Sequence, residues 1–173
     1  MINIVDIFKD ISRNTSISVG IEINFLFGEW AQIAREMEIL SKSPITESGK
    51  WPLLALFTPF EEDKGDPDLY CKANIDLMIA TRTLSDYTND QRLAISYKEI
   101  LHPVYEHFIL ELAKDQRFDF GSKNVVPHRY VDNMRYGSRG VYGSDGKKPF
   151  ADLFDGIDIL DLEIKVKKPN CRP

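Results

Sequence analysis

The sequence predicts an α+β fold, in which a mixed and mostly antiparallel sheet is flanked by helices, with a long irregular loop before the last strand. Two segments carry most of this prediction: residues 51–57 are almost entirely apolar, and residues 71–83 alternate with period two. A charged turn separates them, as in a hairpin. Helical periodicity precedes and follows the pair, so the helices have a sheet to cover.

The N-terminal third predicts a helix, a strand and a second helix. Residues 4–11 place their apolar side chains on one helical stripe. From Ile17 to Ile23 apolar and polar residues alternate, which predicts a strand that ends by Gly28. Residues 30–41 return to the helical period, and the Ser43-Pro44 pair ends it.

After the hairpin, a helix is expected to run from near Lys98 or Pro103 to Lys114. Ser96 and Glu99 have the spacing of a capping box. Pro103 belongs in a first turn, because deeper in a helix it would cost about 3 kcal/mol. We therefore expect the regular helix to begin there.

The C-terminal part predicts a long loop and one more strand. Residues 120–149 have no apolar period and contain five glycines, which indicates a flexible basic loop that becomes ordered on assembly. In the strand at residues 157–166 the apolar residues move from odd to even positions, which predicts a β-bulge near Ile159 and Leu160. The expected core takes one or two side chains from each main element. These are Trp30, Leu54, Leu56, Ile75, Leu77, Phe108 and Leu162.

Composition limits the function. The chain has 173 residues, 43% of them hydrophobic, which suits a single domain over residues 1–173. The net charge of -5 argues against a protein whose main task is to coat nucleic acid. Cys71 and Cys171 are the two cysteines, which fits a reducing cytoplasm. Neither a signal peptide nor a membrane span is expected.

One pair of residues suggests an enzyme. Glu163 and Lys165 have the E-x-K spacing of PD-(D/E)xK nucleases, in which a carboxylate binds metal and a lysine stabilises the transition state. Asp155, Asp158 or Asp161 would supply the second carboxylate. A solvent-facing edge strand shows the same alternation of acid and lysine, and that is the interpretation we favour.

Three other patterns are weaker. The acids Asp63, Asp66 and Asp68 lack EF-hand spacing, so they indicate a solvated turn rather than a calcium loop. The glycine-rich stretch at residues 137–143 lacks a G-K-[ST] ending, so it does not predict a phosphate loop. Three histidines remain, and their spacing does not suit a shared metal ion. They are His102, His107 and His128. No catalytic residue, metal site or cofactor is expected.

Charge is distributed unevenly along the chain. Residues 120–149 carry six basic and two acidic side chains, a net charge of +4, whereas residues 61–68 carry five acids and one lysine, a net charge of -4. The opposite net charges of the two segments suit a head-to-tail contact between copies of the chain. The predicted interface residues are Glu61, Glu62, Asp63, Asp66, Asp68, Arg129, Arg135, Tyr136, Arg139, Tyr142, Lys147 and Lys148.

Four segments carry a family resemblance. These are WPLLALF at residues 51–57, IDLMIATRT at 75–83, LHPVYEHF at 101–108 and FADLFDGIDI at 150–159. Their order resembles that of the small neck and tail-completion proteins of tailed bacteriophages and prophages, especially the tail-terminator group. This chain differs from short members of that group in its long loop before the last strand.

The resemblance implies a structural virion protein. Such proteins assemble as rings, usually hexameric, between the tail tube and the head connector, and they are made in the bacterial host cytoplasm. Tail tube protein and neck or connector proteins would be the partners, without membrane or direct nucleic-acid binding. A metal-dependent nuclease and a cytoplasmic protein-binding module remain the alternatives.

Overall fold

The computed structural model describes residues 3–133 and 153–168. Within these residues the chain forms helices and a six-stranded sheet. The elements in chain order are α1 (Ile4–Val19), β1 (Asn24–Gly28), α2 (Trp30–Leu40), α3 (Pro44–Ser48), β2 (Leu53–Phe57), β3 (Glu62–Asp63), β4 (Leu69–Arg82), α4 (Asn89–Gln91), a π-helix (Arg92–Leu101), α5 (His102–Lys114), β5 (Arg129–Asn133) and β6 (Phe154–Lys167).

The described strands form one mixed sheet. Its order is β1-β2-β4-β6-β5, and β3 pairs with β4. Strands β1 and β2 are parallel, and the other described pairs are antiparallel. A parallel pair needs a crossover connection, which here contains α2 and α3. The predicted α+β class, with a mostly antiparallel sheet flanked by helices, is confirmed.

The sheet has a hydrophobic core on each face. Leu54 and Leu56 of β2 belong to the larger core with α1 and α5, whereas Leu53 belongs to a smaller core under α2. Phe8 of α1 and Phe108 of α5 are fully buried in the larger core, with ring centroids 6.3 Å apart. Alternate residues of one strand therefore anchor helices on opposite faces.

The predicted core is mostly confirmed. Six of its seven residues are buried, and the exception is Trp30, which is half-buried at the N-terminus of α2. The Trp30 ring lies 5.7 Å from the ring of Phe57, at the margin of the smaller core. The buried six are Leu54, Leu56, Ile75, Leu77, Phe108 and Leu162.

The strand predicted from Ile17 has the wrong start, because α1 continues to Val19 and β1 begins at Asn24. Its predicted end at Gly28 is confirmed. A polar residue on the buried side of α1 hides the helix in the sequence. The Thr15 hydroxyl is fully buried but donates to the carbonyl oxygen one turn earlier at 2.8 Å, so burial costs it no hydrogen bond. Gly20 ends the helix with a φ of 75°.

The helix expected before Lys114 is confirmed at its predicted start. Helix α5 begins at His102 and has Pro103 in its first turn. Helical backbone nevertheless begins earlier, because α4 and the ten-residue π-helix lead directly into α5. The chain from Asn89 to Lys114 is therefore one continuous helical segment with a change of winding in its middle.

The capping box predicted at Ser96 and Glu99 is also wrong, since both residues lie inside the π-helix. The box is formed instead by Thr88 and Gln91. The Thr88 hydroxyl accepts from the Gln91 N–H at 3.2 Å, and the Gln91 side chain accepts from the Thr88 N–H at 2.9 Å. The spacing of a capping box recurs inside helices, so spacing alone does not locate a helix start.

The β-bulge predicted in the last strand is confirmed. Ile75 and Leu77 of β4 pair with Leu162 and Ile159 of β6, so β6 has one extra residue between these pairs. Asp161 lies in the bulge and has a φ of 51°. Its N–H donates to the Asp76 carboxylate of β4 at 2.8 Å. The bulge keeps Ile157 and Ile159 before it, and Leu162, Ile164 and Val166 after it, in the larger core.

The irregular loop predicted at residues 120–149 is wrong in part. Residues 129–133 form β5, which pairs antiparallel with β6. All five side chains of β5 are exposed or half-buried, so they show no apolar alternation in the sequence. Residues 134–149 lie outside the described residues.

A fully buried ion pair joins the helical segment to the sheet. Arg92 of the π-helix lies 2.9 Å from the Asp155 carboxylate of β6, and neither side chain is exposed. Arg92 also donates to the Thr83 hydroxyl at 3.0 Å and to the Leu84 carbonyl oxygen at 2.6 Å. These additional bonds satisfy the guanidinium, which makes burial of the pair tolerable.

We expect Leu77→Ala to lower the free energy of unfolding by about 2 to 5 kcal/mol, because it removes buried contacts in the central strand and leaves a cavity. Leu110→Ala is the matched control. Leu110 is 52% exposed on α5, and its truncation should change that free energy by no more than about 0.5 kcal/mol. Urea denaturation measures both, and a loss under about 1 kcal/mol for Leu77→Ala would contradict the position assigned to β4.

Candidate functional site

The acidic turn, which we define as residues 61–68, is a folded projection beside β4. Its residues 62–63 form β3 and pair with β4. The Asp63 carboxylate accepts from the Gly65 N–H at 2.8 Å, and the Asp66 carboxylate accepts from the Asp68 N–H at 2.9 Å. Such local bonds fix the turn conformation. The projection therefore presents its charges in defined positions.

Only part of the turn's charge is neutralised locally. The Lys72 ammonium donates a hydrogen bond to the Asp66 carboxylate at 2.8 Å. This bond lowers the pKa of Asp66 and raises the pKa of Lys72. The carboxylate of Glu62 lies 3.2 Å from Lys64 and its hydrogen bond raises the Lys64 pKa. Three acids of the turn form no ion pair with any described residue. They are Glu61, Asp63 and Asp68.

Strand β5 supplies the described part of the basic segment. Arg129 is 68% exposed and lies 2.5 Å from the Asp161 carboxylate at the β6 bulge. Tyr130 and Val131 follow it and are also exposed. Because an exposed pair of this kind contributes about 0 to 1 kcal/mol, Arg129 remains available to an acidic partner.

An aromatic cluster supports β5 from the side of α5. The ring centroids of Tyr105 and Tyr130 are 4.9 Å apart. His128 contacts the Val126 carbonyl oxygen through Nδ1 at 2.9 Å and the Tyr105 hydroxyl through Nε2 at 2.7 Å. A carbonyl oxygen only accepts, so Nδ1 carries a proton and donates to Val126. The sequence gives no sign of this cluster, because its members lie on different elements.

The remaining predicted interface residues lie outside the described residues. They are Arg135, Tyr136, Arg139, Tyr142, Lys147 and Lys148.

The acidic turn and β5 lie on opposite sides of the central strand pair. Strand β3 pairs with β4, β4 with β6, and β6 with β5. With strands about 4.8 Å apart, three spacings separate β3 from β5 by roughly 14 Å. The two charged regions are thus too far apart for a direct contact between β3 and β5 within one copy.

The proposed nuclease pair is on the open face of the sheet. Glu163 and Lys165 are both exposed, and they pair with Asn74 and Lys72 of β4 on the same face. The shared solvent face is as predicted, but β6 is not an edge strand, because it lies between β4 and β5. A groove of about 680 Å³ runs beside these residues and the acidic turn, and its lining carries four acids and two lysines.

The aspartates proposed to complete a nuclease site do not converge on that pair. Asp155 points to the opposite face, where it binds Arg92. Asp161 binds Arg129, and Asp158 accepts a hydrogen bond from an asparagine of β5 at 2.6 Å. Among the described residues, no three His, Cys, Asp or Glu side chains are grouped so that they could hold a metal ion.

The three histidines lie in separate environments. The His102 ring lies 5.6 Å from that of Tyr97, and the His107 ring contacts the Ser18 hydroxyl at 3.0 Å. His128 belongs to the aromatic cluster described above. Within residues 3–133 and 153–168, no helix has both the length and the apolar character needed to cross a bilayer.

No family model matches this chain, and no curated protein shows significant sequence similarity to it.

We expect Glu163→Ala and Lys165→Ala each to change the free energy of unfolding by no more than about 0.5 kcal/mol, because both side chains are exposed. A nuclease would behave differently in a second assay, in which the purified protein is incubated with DNA and Mg²⁺ or Mn²⁺. Cleavage by the wild type that is lost in either variant, but kept in an Asp76→Ala control on the same sheet face, would establish the enzymatic alternative.

Proposed function

We propose that this protein is a structural component of a tailed-phage virion, a tail-terminator or head-tail joining protein that forms a ring of about six copies. It is made in the bacterial host cytoplasm and incorporated at the neck or tail. The proposal is supported by the resemblance in the order of the elements and by the α+β fold. It requires no catalytic residue, cofactor or membrane contact.

The observation that carries the proposal is the position of the two charged regions. The acidic turn and Arg129 lie on opposite sides of the β4–β6 pair, and the turn keeps three acids without an ion pair among the described residues. Surfaces that are complementary and lie on opposite sides of one subunit associate head to tail. When the rotation between successive copies closes, the result is a ring.

The proposed mechanism is geometric. One face of the ring is complementary to the last ring of the tail tube, and the other face is complementary to the neck or connector. Binding of the first face stops tube polymerisation, because it occupies the surface on which another tube ring would add. Binding of the second joins the tail to the head.

The energy of such a ring comes from repetition. One exposed ion pair contributes about 0 to 1 kcal/mol, so a single substitution at the interface should be weak. Arginine contacts that lose their water at an interface contribute more, and a closed ring repeats each contact in every subunit. The informative variant therefore reverses several charges together.

We expect the triple variant Arg129→Glu, Arg135→Glu and Arg139→Glu to lose ring formation or tail joining. Its mass by light scattering should fall below that of the wild type, while its circular dichroism and melting temperature stay nearly unchanged. Increasing salt should weaken wild-type association, because the contact is between exposed charges. Normal assembly of the triple variant would show that this segment is not the interface.

A matched control and a rescue make this test specific. The control reverses three exposed cations on other elements, Arg35, Lys42 and Lys98, and should assemble normally. The rescue adds Glu61→Lys, Asp63→Lys and Asp68→Lys to the triple variant, which restores opposite charges with the signs exchanged. Recovery of assembly in the rescued protein would identify the acidic turn as the acceptor.

A further inference from the structure

Strand β1 is an outer strand of the sheet with hydrogen-bonding groups available to a partner. The Asn24 N–H donates to the Pro52 carbonyl oxygen of the β2 side at 2.9 Å, and the Gly28 carbonyl oxygen accepts from the Thr58 N–H at 3.1 Å. Successive residues of a strand direct these groups to opposite sides. The groups of Phe25 and Phe27 therefore point outward, where no described strand pairs with β1.

This edge lacks the features that usually protect an outer strand. The sequence NFLFG has no charged residue and no proline. Phe27 is 52% exposed, and its ring stacks on that of Phe25 at a centroid distance of 6.4 Å. Natural edge strands are commonly protected by lysine, proline or a bulge against pairing with another chain. An unprotected aromatic edge is typical of an interaction surface.

We propose that β1 pairs antiparallel with β1 of a second copy of this chain, in a two-fold arrangement centred on Leu26. Phe25 of each copy then lies opposite Phe27 of the other. Residues directly opposite each other in a hydrogen-bonded antiparallel pair exchange two N–H···O bonds, so the two Phe25–Phe27 pairs form four. The two sheets become one continuous sheet.

The available groups favour this register over its neighbours. The Ile23 N–H already donates to the Ser16 hydroxyl at 3.0 Å, and the Glu29 N–H donates to the Gln32 side-chain oxygen at 3.2 Å. Only two residues of the edge therefore offer an N–H to a partner strand. The centred register pairs both the N–H and the C=O of Phe25 and Phe27 in each copy. A shift by two residues places one of these C=O groups in each copy opposite an N–H that is already used.

The side chains also fit. A groove of about 400 Å³ lies between α1 and β1, and Phe25 forms part of its wall. In the centred register, Phe27 of the second copy lies opposite Phe25 on the same face of the sheet, beside this groove. An aromatic pair across two strands contributes roughly the same stabilising free energy as other favourable cross-strand pairs. Both rings also lose exposed surface in this contact.

Charge does not decide the register. The groove beside β1 carries both signs, with Lys9 and Arg13 against Asp10 and Glu22, and Arg13 already lies 3.2 Å from the Asp10 carboxylate. Glu29 of the second copy, opposite Ile23, therefore meets no net charge there.

This contact is independent of the proposed ring, because β1 and the β5 side of the sheet are at opposite ends of the strand order. Reversal of the arginines near β5 should leave the β1 contact intact. Failure of either proposal can therefore be recognised without the other.

Cysteine cross-linking tests the register directly, in a Cys171→Ser background; the native Cys71 is fully buried. In the proposed register the two Leu26 residues form a non-hydrogen-bonded pair with Cα atoms about 4.5 Å apart, within the range of a disulfide. Leu26→Cys should give a disulfide-linked dimer on mild oxidation. The control, Asn24→Cys, places its two thiols four residues apart along the strands, roughly 13 Å, and should cross-link at least tenfold less.

A second measurement does not depend on Leu26. In the background of the three arginine reversals, which remove the proposed ring contact, Phe27→Lys puts a charge into the β1 contact and should lower the dimer association constant measured by light scattering at least tenfold. Leu110→Lys, at a residue of equal 52% exposure on α5, should leave that constant unchanged. Equal cross-linking by both cysteine variants, absence of a Leu26→Cys dimer in the folded protein, or unchanged association of Phe27→Lys would overturn the proposal.

Discussion

The position of the helical segment from Asn89 to Lys114 on the sheet depends on the ion pair between Arg92 and Asp155. This pair connects the π-helix to β6, and both of its side chains are fully buried. Loss of one partner would leave a buried charge without compensation, at a cost of about 3 to 5 kcal/mol. Tyr97 adds a second link one turn later, because its hydroxyl donates to the Gly156 carbonyl oxygen at 3.1 Å. The helices over the larger core are therefore positioned by polar contacts as well as by packing.

Helices cover the two faces of the sheet unequally, so part of one face is open to solvent. Helices α1 and α5 cover one face, whereas α2 covers the other only where β1, β2 and the ends of β4 and β6 meet. The remainder of that second face carries Lys72, Asn74, Glu163 and Lys165 in the open groove. An antiparallel sheet accepts such a solvated face, whereas its apolar residues stay on the covered side. The protein thus combines a rigid sheet with charged projections and an aromatic edge.

The sequence predicts those parts of the fold in which burial follows a simple period. The strands near residues 51–57 and 71–83 and the bulge near Leu160 are predictable, because each residue's side of the sheet decides its polarity. The end of α1 is not predictable, because the buried Thr15 interrupts the apolar pattern. Its hydroxyl donates to a carbonyl oxygen of the same helix, so burial leaves it no unmade hydrogen bond. Strand β5 is exposed and leaves no pattern at all. For the candidate site, the acidic turn is visible in the sequence, but its separation from β5 depends on strand order, which no local period contains.

The π-helix limits changes of chain length in this region. A π-helix bonds each N–H to the carbonyl five residues earlier, so each turn contains one residue more than an α-helical turn. Removal of one residue between Arg92 and Leu101 would shift the earlier part of the segment by roughly 80° around the axis relative to α5, because a turn of about 4.5 residues rotates by that angle per residue. Helix α5 cannot follow this rotation, since Phe108 is packed against Phe8 of α1. The guanidinium would then point away from β6, so the number of residues here is as constrained as their identity.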